Sequence, residues 1–505
     1  LHDVPFQGDR GKGHPERSEG TIIRSLVVNQ NVELLSEKQK ADIDKKLAEV
    51  KICDPAIGSG AFPMGLLNLL CKCRRALNPI DEETDTNAVA KFKREIIQNN
   101  IYGVDIEKGA VDIAQLRFWL SLVVDETTPE ALPNLEYKIM QGNSLLESYE
   151  SIDLSGLAGE KAKGTKAKDS LQTSMVFDEK GAMDQIQKDL NSFFNTDSHS
   201  MKESLRESIN LNVRNYIKHR SQYSRYAEIE KLPLPNDKFF LWHTYFRDVF
   251  DRKGKSGFDI VIGNPPYVNI ANIKPDDYRE LLKESFRSTK NKSDLYGYFI
   301  EFGFSLLNPN GVMSYIIPQT WKATDSFSKL REIIFKEHTL SQVVNLEMGT
   351  FANAVVRPLI AVFENQKKET YSIKIFDSFS YKYNIPISEI LISPTLSLDT
   401  ESSKNEKNFF TKIEMQVERL GNVLKFSRGI KTSNDEKFVT TENRNKDCRR
   451  VFRGRNIKAY SLNWNGEYIW YRPDLMKEKV GCLPHSKEFF EVEEKLITQR
   501  VNSSM

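Results

Sequence analysis

The chain has 505 residues, 28% of them charged, and 72 Lys+Arg against 70 Asp+Glu leave a net charge of +2. That length supplies core for about three domains, and the near-balance of charge excludes neither nucleic acid nor small substrates, because local distribution matters more. Five sparse cysteines (Cys53, Cys71, Cys73, Cys448, Cys482) lack zinc-ligand spacing, and no apolar run reaches membrane-spanning length; a reduced, cytoplasmic protein without metal, signal peptide or membrane contact is expected.

Residues 1–20, rich in Gly, Arg, Glu and His, read as irregular. Residues 21–35 carry apolar positions at helical spacing (Ile22, Ile23, Leu26, Val27), and a charged helix is predicted over 37–49. Val50 to Asp54 then reads as a strand that ends in Asp-Pro, followed by the turn Ala56-Ile57-Gly58-Ser59-Gly60 and an apolar helix through Leu70. This is the βα opening of a nucleoside-binding fold, where glycines let a ligand approach the backbone and the helix N-terminus favours polar groups. No Lys follows the second glycine, so the loop is not a phosphate-gripping one.

A second strand, Asn100–Ile106, ends in Asp105, an acid placed to bind ribose hydroxyls. Its distance from Gly60 is accommodated by a helical insertion between Asn78 and Asn99. A core-facing helix follows, and Tyr137–Ser144 reads as a third strand whose polar tip carries Asn143, a side chain suited to an adenine ring or to a turn. The Gly-, Lys- and Ser-rich residues 151–169 suggest a mobile loop. Residues 183–231 read as charged helices whose arginines, Arg206 and Arg214 among them, form a solvated face rather than a nucleic-acid contact. Phe239-Phe240-Leu241-Trp242 packs the chain back toward the next strand.

That strand, Phe258–Ile262, is closed by Gly263 and delivers Asn264-Pro265-Pro266-Tyr267 to the sheet's carboxyl edge. Pro266 fixes its own φ and holds Pro265 extended, so the turn is stiff. An aromatic exocyclic amine is a poor nucleophile because its lone pair is delocalised into the ring. The Asn264 amide oxygen and the Pro265 carbonyl can accept its two N–H bonds and localise that pair without a charged base. Tyr267 offers a face for a planar base drawn out of its helix.

Beyond it a helix is predicted from Asp294 to Leu307, a turn at Asn308–Gly311 and a strand over Val312–Ile317. A helix over 319–335, a strand over 340–346 and a last antiparallel edge strand fed by 351–363 complete the pattern. Strands alternating with helices argue a doubly wound, mostly parallel α/β domain. Residues 366–410 read as a linker with a weak strand pattern. The last hundred residues hold 20 Lys+Arg against 14 Asp+Glu, and Arg449, Arg450, Arg453 and Arg455 lie among aromatics, a pattern that fits phosphates and base edges. Lys495–Arg500 reads as a strand.

The ordered set Asp54-Pro55-Ala56-x-Gly58-Ser59-Gly60-x-Phe62, Gly103-Val104-Asp105, Gly142-Asn143-Ser144 and Asn264-Pro265-Pro266-Tyr267 resembles the gamma-type amino-group (adenine-specific) DNA methyltransferases. These include the Taq methylase and the methylase part of type IIG restriction-modification proteins. The resemblance spans residues 20–365 and, loosely, 405–505. It implies a Rossmann-like S-adenosylmethionine-dependent methyltransferase: residues 21–150 as the cofactor half, 151–238 as a helical insertion, 239–365 as the catalytic half, and 411–505 as a partial, partly β target-recognition domain. It implies that Asp54, Pro55, Ala56, Gly58, Gly60, Phe62, Asp105 and Ile106 bind S-adenosyl-L-methionine, with Asn143 near its adenine. It implies that Asn264, Pro265, Pro266 and Tyr267 hold a flipped adenine of double-stranded DNA, with Phe351 as a second stacking aromatic.

The chain departs from that family in lacking a Phe/Tyr-x-Thr-Pro cofactor motif before Asp54. It also has no Asp…Glu-x-Lys nuclease cluster, so cleavage is not expected, and a separate restriction or specificity subunit is an expected partner. A bacterial or archaeal location follows from the same resemblance. Two alternatives remain open at this stage: an RNA or protein (glutamine) methyltransferase, and a non-catalytic DNA-binding specificity protein on the same fold. A cysteine-dependent ring methylase is disfavoured by the lack of a Pro-Cys loop.

Overall fold

The computed structural model describes residues 19–79, 87–128, 132–149, 152–154, 179–220, 230–274, 276–288, 293–347 and 357–402, with most of 427–497. The chain divides into two compact units, Leu1–Glu401 and Ser402–Met505. The strands of the first are β1 (Ile52–Asp54), β2 (Ile101–Asp105), β3 (Ile139–Gln141), β4 (Ser148–Tyr149), β5 (Ile152–Asp153), β6 (Phe258–Gly263), β7 (Leu307–Pro318), β8 (Thr339–Asn345), β9 (Pro358–Glu364), β10 (Ser372–Asp377) and β11 (Ser380–Pro386).

Nine of them form one sheet in the order β11-β10-β8-β9-β7-β6-β1-β2-β3, while β4 and β5 make a separate hairpin. The run β7-β6-β1-β2-β3 is parallel throughout. Helices connect these strands, including Ala61–Leu77, Ala88–Asn99, Lys108–Val123 and Tyr296–Leu306. The result is the doubly wound, mostly parallel α/β sheet that the alternating pattern predicts.

Several local expectations change. The first helix stops at Asn29, and Ser36 starts the next with a reciprocal cap to Gln39. The third strand shrinks to Ile139–Gln141. The predicted turn at Asn308–Gly311 lies inside β7, as a looped-out register shift: Phe258 pairs with Leu307 but Ile260 with Val312. The Asn308 side chain accepts the Asn310 N–H there, a local turn that a periodicity argument sees without seeing the strand around it.

The helix expected over 319–335 is two 3-10 turns, Gln319–Lys322 and Asp325–Phe327, before the helix Ser328–Glu337. β9 is antiparallel but interior, between β7 and β8. The reading of 366–410 as a linker gives way in its first part, because β10 and β11 extend the sheet and Ile387–Ile392 is helical. Ile373 and Ile375 of β10 alternate with exposed residues, while most of β11 is exposed, which hides its pairing from a burial pattern. Most of the predicted mobile loop lies outside the described residues, as does part of Lys495–Arg500, whose residues 495–497 form no strand.

The core of the first unit gathers aromatics on one face of the sheet. Phe240 meets Trp242 at a ring-centroid distance of 4.9 Å, and Tyr102 meets Phe258 at 5.3 Å, both edge to face. Trp242 Nε1 donates to the Ser144 carbonyl. The Phe239–Trp242 stretch therefore does pack the insertion's exit onto β2 and β6. Within the insertion, helices Glu179–Phe194 and His199–Arg220 pack together. Arg206 pairs with Glu136, outside the insertion, at 2.8 Å, and Arg214 donates to the Glu230 carbonyl at 2.8 Å.

In the second unit, β12 (Val439–Thr440), β16 (Tyr468–Trp470) and β13 (Cys448–Arg450) form a three-stranded sheet. It rests on a small core of Phe438, Ile469 and Met476, and β14 (Ile457–Lys458) and β15 (Ser461–Leu462) form a hairpin. No helix among the described residues is long and apolar enough to cross a membrane.

Candidate active site

Because β6, β1, β2 and β3 are parallel neighbours, their carboxyl ends lie side by side. The residues that follow them (Asn264, the Asp54–Gly60 turn, Asp105-Ile106 and Gly142-Asn143) therefore share one edge of the sheet. The local chemistry then differs from loop to loop.

The Asp54–Gly60 turn is held by its neighbours. One Asp54 oxygen accepts the Ala56 N–H at 3.0 Å, Asp105 accepts the Gly58 N–H at 2.8 Å, and the Ser144 hydroxyl donates to the Pro55 carbonyl at 2.6 Å. Arg117 grips the outer side through the Ser59 carbonyl and hydroxyl. Gly58 and Gly60 adopt φ of 51° and 80°, values that a β-branched or bulky residue would resist, and Gly60 opens the helix that carries Phe62.

Asp54 is buried, and burial pushes its carboxyl up to about 8, against the pull of the Ala56 N–H. It sits against the backbone of β6: a Cβ on Gly263 would come within 2.6 Å of a carboxyl oxygen of Asp54. Only glycine leaves room for that approach. The Asp54–Gly60 turn and the Asn264 loop thus meet at Asp54 and Gly263. Asp105 also accepts the Glu107 N–H at 3.0 Å and remains partly exposed, and Ile106 beside it is 43% exposed.

The Asn264 loop has the opposite character. Asn264 is exposed and Pro265 buried. Among the described residues nothing hydrogen-bonds the Asn264 amide, while the flanking chain is firmly tied. Tyr267 donates to the Ile316 carbonyl at 3.0 Å, and burial pushes its phenol up to about 12, so it stays a donor. Its ring stands edge-on to Tyr296 at 6.4 Å; Tyr296 stacks on Phe327 and bonds Thr320. Past the loop, Leu295 N–H donates to the Val268 carbonyl and Asn269 to Asp294. The free amide is mounted on a braced frame.

Sequence reading missed Tyr278. It lies in the helix Asp276–Ser285 that follows the Asn264 loop, and its hydroxyl donates to Oδ1 of Asn143 at 3.2 Å. Nothing in Asp276-Asp277-Tyr278 signals such a partner, because the contact spans the sheet edge. Phe351 lies outside the described residues.

The four arginines belong to the second unit and differ among themselves. Arg453 pairs with Glu467 at 3.1 Å and Asp435 at 3.3 Å, and Arg455 with Glu467 at 3.6 Å. Arg450 covers the Trp464 ring at 4.7 Å, and exposed Arg449 caps backbone carbonyls.

Comparison with known proteins places this arrangement. Residues 99–351 match the family described as Eco57I restriction-modification methylase. The Methanocaldococcus jannaschii protein RM.MjaORFECS2P is 27% identical over 415 residues, 70% of this chain and 33% of that protein. The Escherichia coli type II restriction enzyme and methyltransferase RM.Eco57I is 22% identical over 448 residues, 83% of this chain and 36% of that protein. An adenine-specific methyltransferase, BrxX of Escherichia coli O9:H4, is 23% identical over 350 residues, 65% of this chain and 26% of that protein. The chain spans about a third of the length of the first two relatives.

Proposed function

This chain belongs to the Eco57I restriction-modification methylase family, and on that premise we propose that it methylates the exocyclic amino group of adenine in duplex DNA after the base is flipped out. S-adenosyl-L-methionine, the cofactor that goes with this family and fold, supplies an electrophilic methyl group on a sulfonium. The residues of the edge fit it. A Cβ on Gly58 would meet nothing within 4 Å, so that loop leaves room for a ligand, and Asp105 and Ile106 offer a carboxylate and an uncovered apolar surface beside it. In this reading Asp105 takes the ribose hydroxyls, Ile106 and Asn143 the adenine, and the Asp54–Phe62 turn the remainder.

The observation that carries the substrate half is the exposed Asn264 amide at the end of β6, next to that turn and without a hydrogen-bond partner among the described residues. Its oxygen and the Pro265 carbonyl accept the two N–H bonds of the target amine and localise its lone pair. Tyr267 provides the stacking face, and its bond to the Ile316 carbonyl holds the ring without costing further order on binding. Pro266 keeps the turn from relaxing. The names of RM.Eco57I and BrxX, a restriction enzyme and methyltransferase and an adenine-specific methyltransferase, support a modification role. Residues 402–505 are the natural place for target recognition. Arg449 and Arg450 are better placed for phosphates than Arg453 and Arg455, whose charge Glu467 already takes up. A separate restriction or specificity subunit fits the same role.

The test is incubation with labelled S-adenosylmethionine and mixed DNA, RNA and protein, followed by identification of the methylated group. N6-methyladenine in DNA, lost in Asn264→Ala, is the expected result. Label confined to RNA or to glutamine would overturn the reading.

A further inference from the structure

We propose that Tyr278 is a positioning residue for the cofactor, fixing the Asn143 amide so that its Nδ2 donor, not its oxygen, meets the adenine ring. The proposal rests on the reading above, in which Asn143 lies near that adenine.

A carboxamide has an acceptor end and a donor end, and the two read opposite features of an adenine edge: the oxygen accepts from the exocyclic amine, and the NH2 donates to a ring nitrogen. Which end faces the ring depends on what the other end already holds. Here Oδ1 of Asn143 receives the Tyr278 hydroxyl at 3.2 Å. The amide has little freedom to choose otherwise. Asn143 is 6% exposed, and its backbone carbonyl accepts the Leu146 N–H. Swinging the group around would set Nδ2 against the phenol and oblige the hydroxyl to turn its proton elsewhere. Burial raises the Tyr278 phenol above its ordinary value, so the hydroxyl keeps its proton through the neutral range.

The placement of Tyr278 adds a second consequence. Its helix, Asp276–Ser285, follows directly on the Asn264–Asn272 loop. A residue carried by the catalytic half therefore completes the ring site of the cofactor half. Order in the target-base loop and order at the cofactor's adenine are linked through one hydrogen bond.

Calorimetry with S-adenosylhomocysteine, its 1-deaza analogue (ring nitrogen N1 removed) and its N6-methyl analogue tests this on the whole chain. Wild type is expected to lose about tenfold in affinity for the 1-deaza compound, the upper end of what one hydrogen bond contributes, and to accept the N6-methyl compound within about threefold. Tyr278→Phe, which keeps the ring packing, is expected to shrink the 1-deaza penalty below about threefold. It should also raise KM for the cofactor while kcat at saturation stays within about twofold. Wild type that tolerates the 1-deaza compound and rejects the N6-methyl one would overturn the proposal, and so would a Tyr278→Phe variant that treats all three compounds as wild type does. Asn143→Ala separates the two levels. If it leaves S-adenosylhomocysteine affinity unchanged, the assignment of Asn143 to the ring is wrong; if it weakens binding while Tyr278→Phe is silent, only the positioning role is.

Discussion

At the amino ends of β1, β3 and β6 charged groups meet one another, whereas at the carboxyl end of β6 the Asn264 amide has no hydrogen-bond partner among the described residues. Lys51, Lys138 and Asp259 lie at the start of β1, β3 and β6. Asp259 accepts from the Lys51 N–H, Arg252 and Asn308, each within 2.8 Å. Lys138 donates to Tyr102 at 2.7 Å and faces Asp248 at 3.6 Å, and Tyr102 donates to Asp248. Burial lowers Lys138 to about 8 against the pull of Asp248, while burial pushes Asp248 up and the two lysines and Tyr102 more than reverse it. At the other edge the Asp54 turn is tied, and the Asn264 amide has no partner among the described residues. The contrast separates polar groups tied up in the sheet's own stability from one that, on the function proposed above, is kept for a substrate at the carboxyl edge, where ligands of α/β sheets bind.

The sharpest way to break that contrast is Asn264→Ala. If the amide serves only the target amine, methyl transfer should fall by the equivalent of about 2.7–4 kcal/mol in the barrier, with melting temperature and cofactor affinity nearly unchanged. A comparable loss in thermal stability would place Asn264 with the structural groups instead.

Asp105 stands between the two classes, since it ties Gly58 and also remains partly exposed. Asp105→Ala should weaken S-adenosylhomocysteine binding by about 1.5–3 kcal/mol, the scale of a hydrogen bond to a charged group. Calorimetry that finds unchanged affinity in a folded variant would move the ribose contact elsewhere.

Asp248→Ala probes the amino edge. It leaves the Tyr102 hydroxyl and the Lys138 ammonium short of an acceptor, and stability should drop by about 1–3 kcal/mol in urea denaturation, with kcat and KM as in wild type. Its own side chain is 33% exposed, so a value toward the lower end is expected. A changed kcat with intact stability would break the separation of the two edges.

Per unit of pH, the smallest step is that of Asp54. Folded Asp54 holds its proton up to about pH 8, against an ordinary value of 3.8. Between those values the folded chain binds the extra proton, so stability falls as pH rises, by at most about 1.4 kcal/mol per unit. Asp54→Asn should flatten that slope when the cofactor-free protein is denatured at a series of pH values. An unchanged slope would show that the carboxyl is ionised in the fold.

The order of motifs along the chain, Asp54-Pro55, Gly58-x-Gly60, Asp105, Asn143 and Asn264–Tyr267, is enough by itself to determine the parallel α/β class. It also determines which turns lie at the carboxyl edge, because apolar runs and their terminating residues are local and strand direction follows from connectivity. Tertiary structure alone decided the rest. β10 and β11 join the sheet through pairing that the alternation of Ile373 and Ile375 suggests without naming the partner strand, and Asn308–Gly311 turns within β7 rather than before it because β7 loops these residues out and resumes its pairing with β6 at Val312. That Asp54 presses on Gly263, that Tyr278 reaches Asn143, and that Glu467 takes up Arg453 and Arg455 while Asn264 finds no partner among the described residues are facts set by the tertiary fold. A side chain's partner depends on which distant segment the fold brings within about 3 Å, and no local pattern encodes that distance.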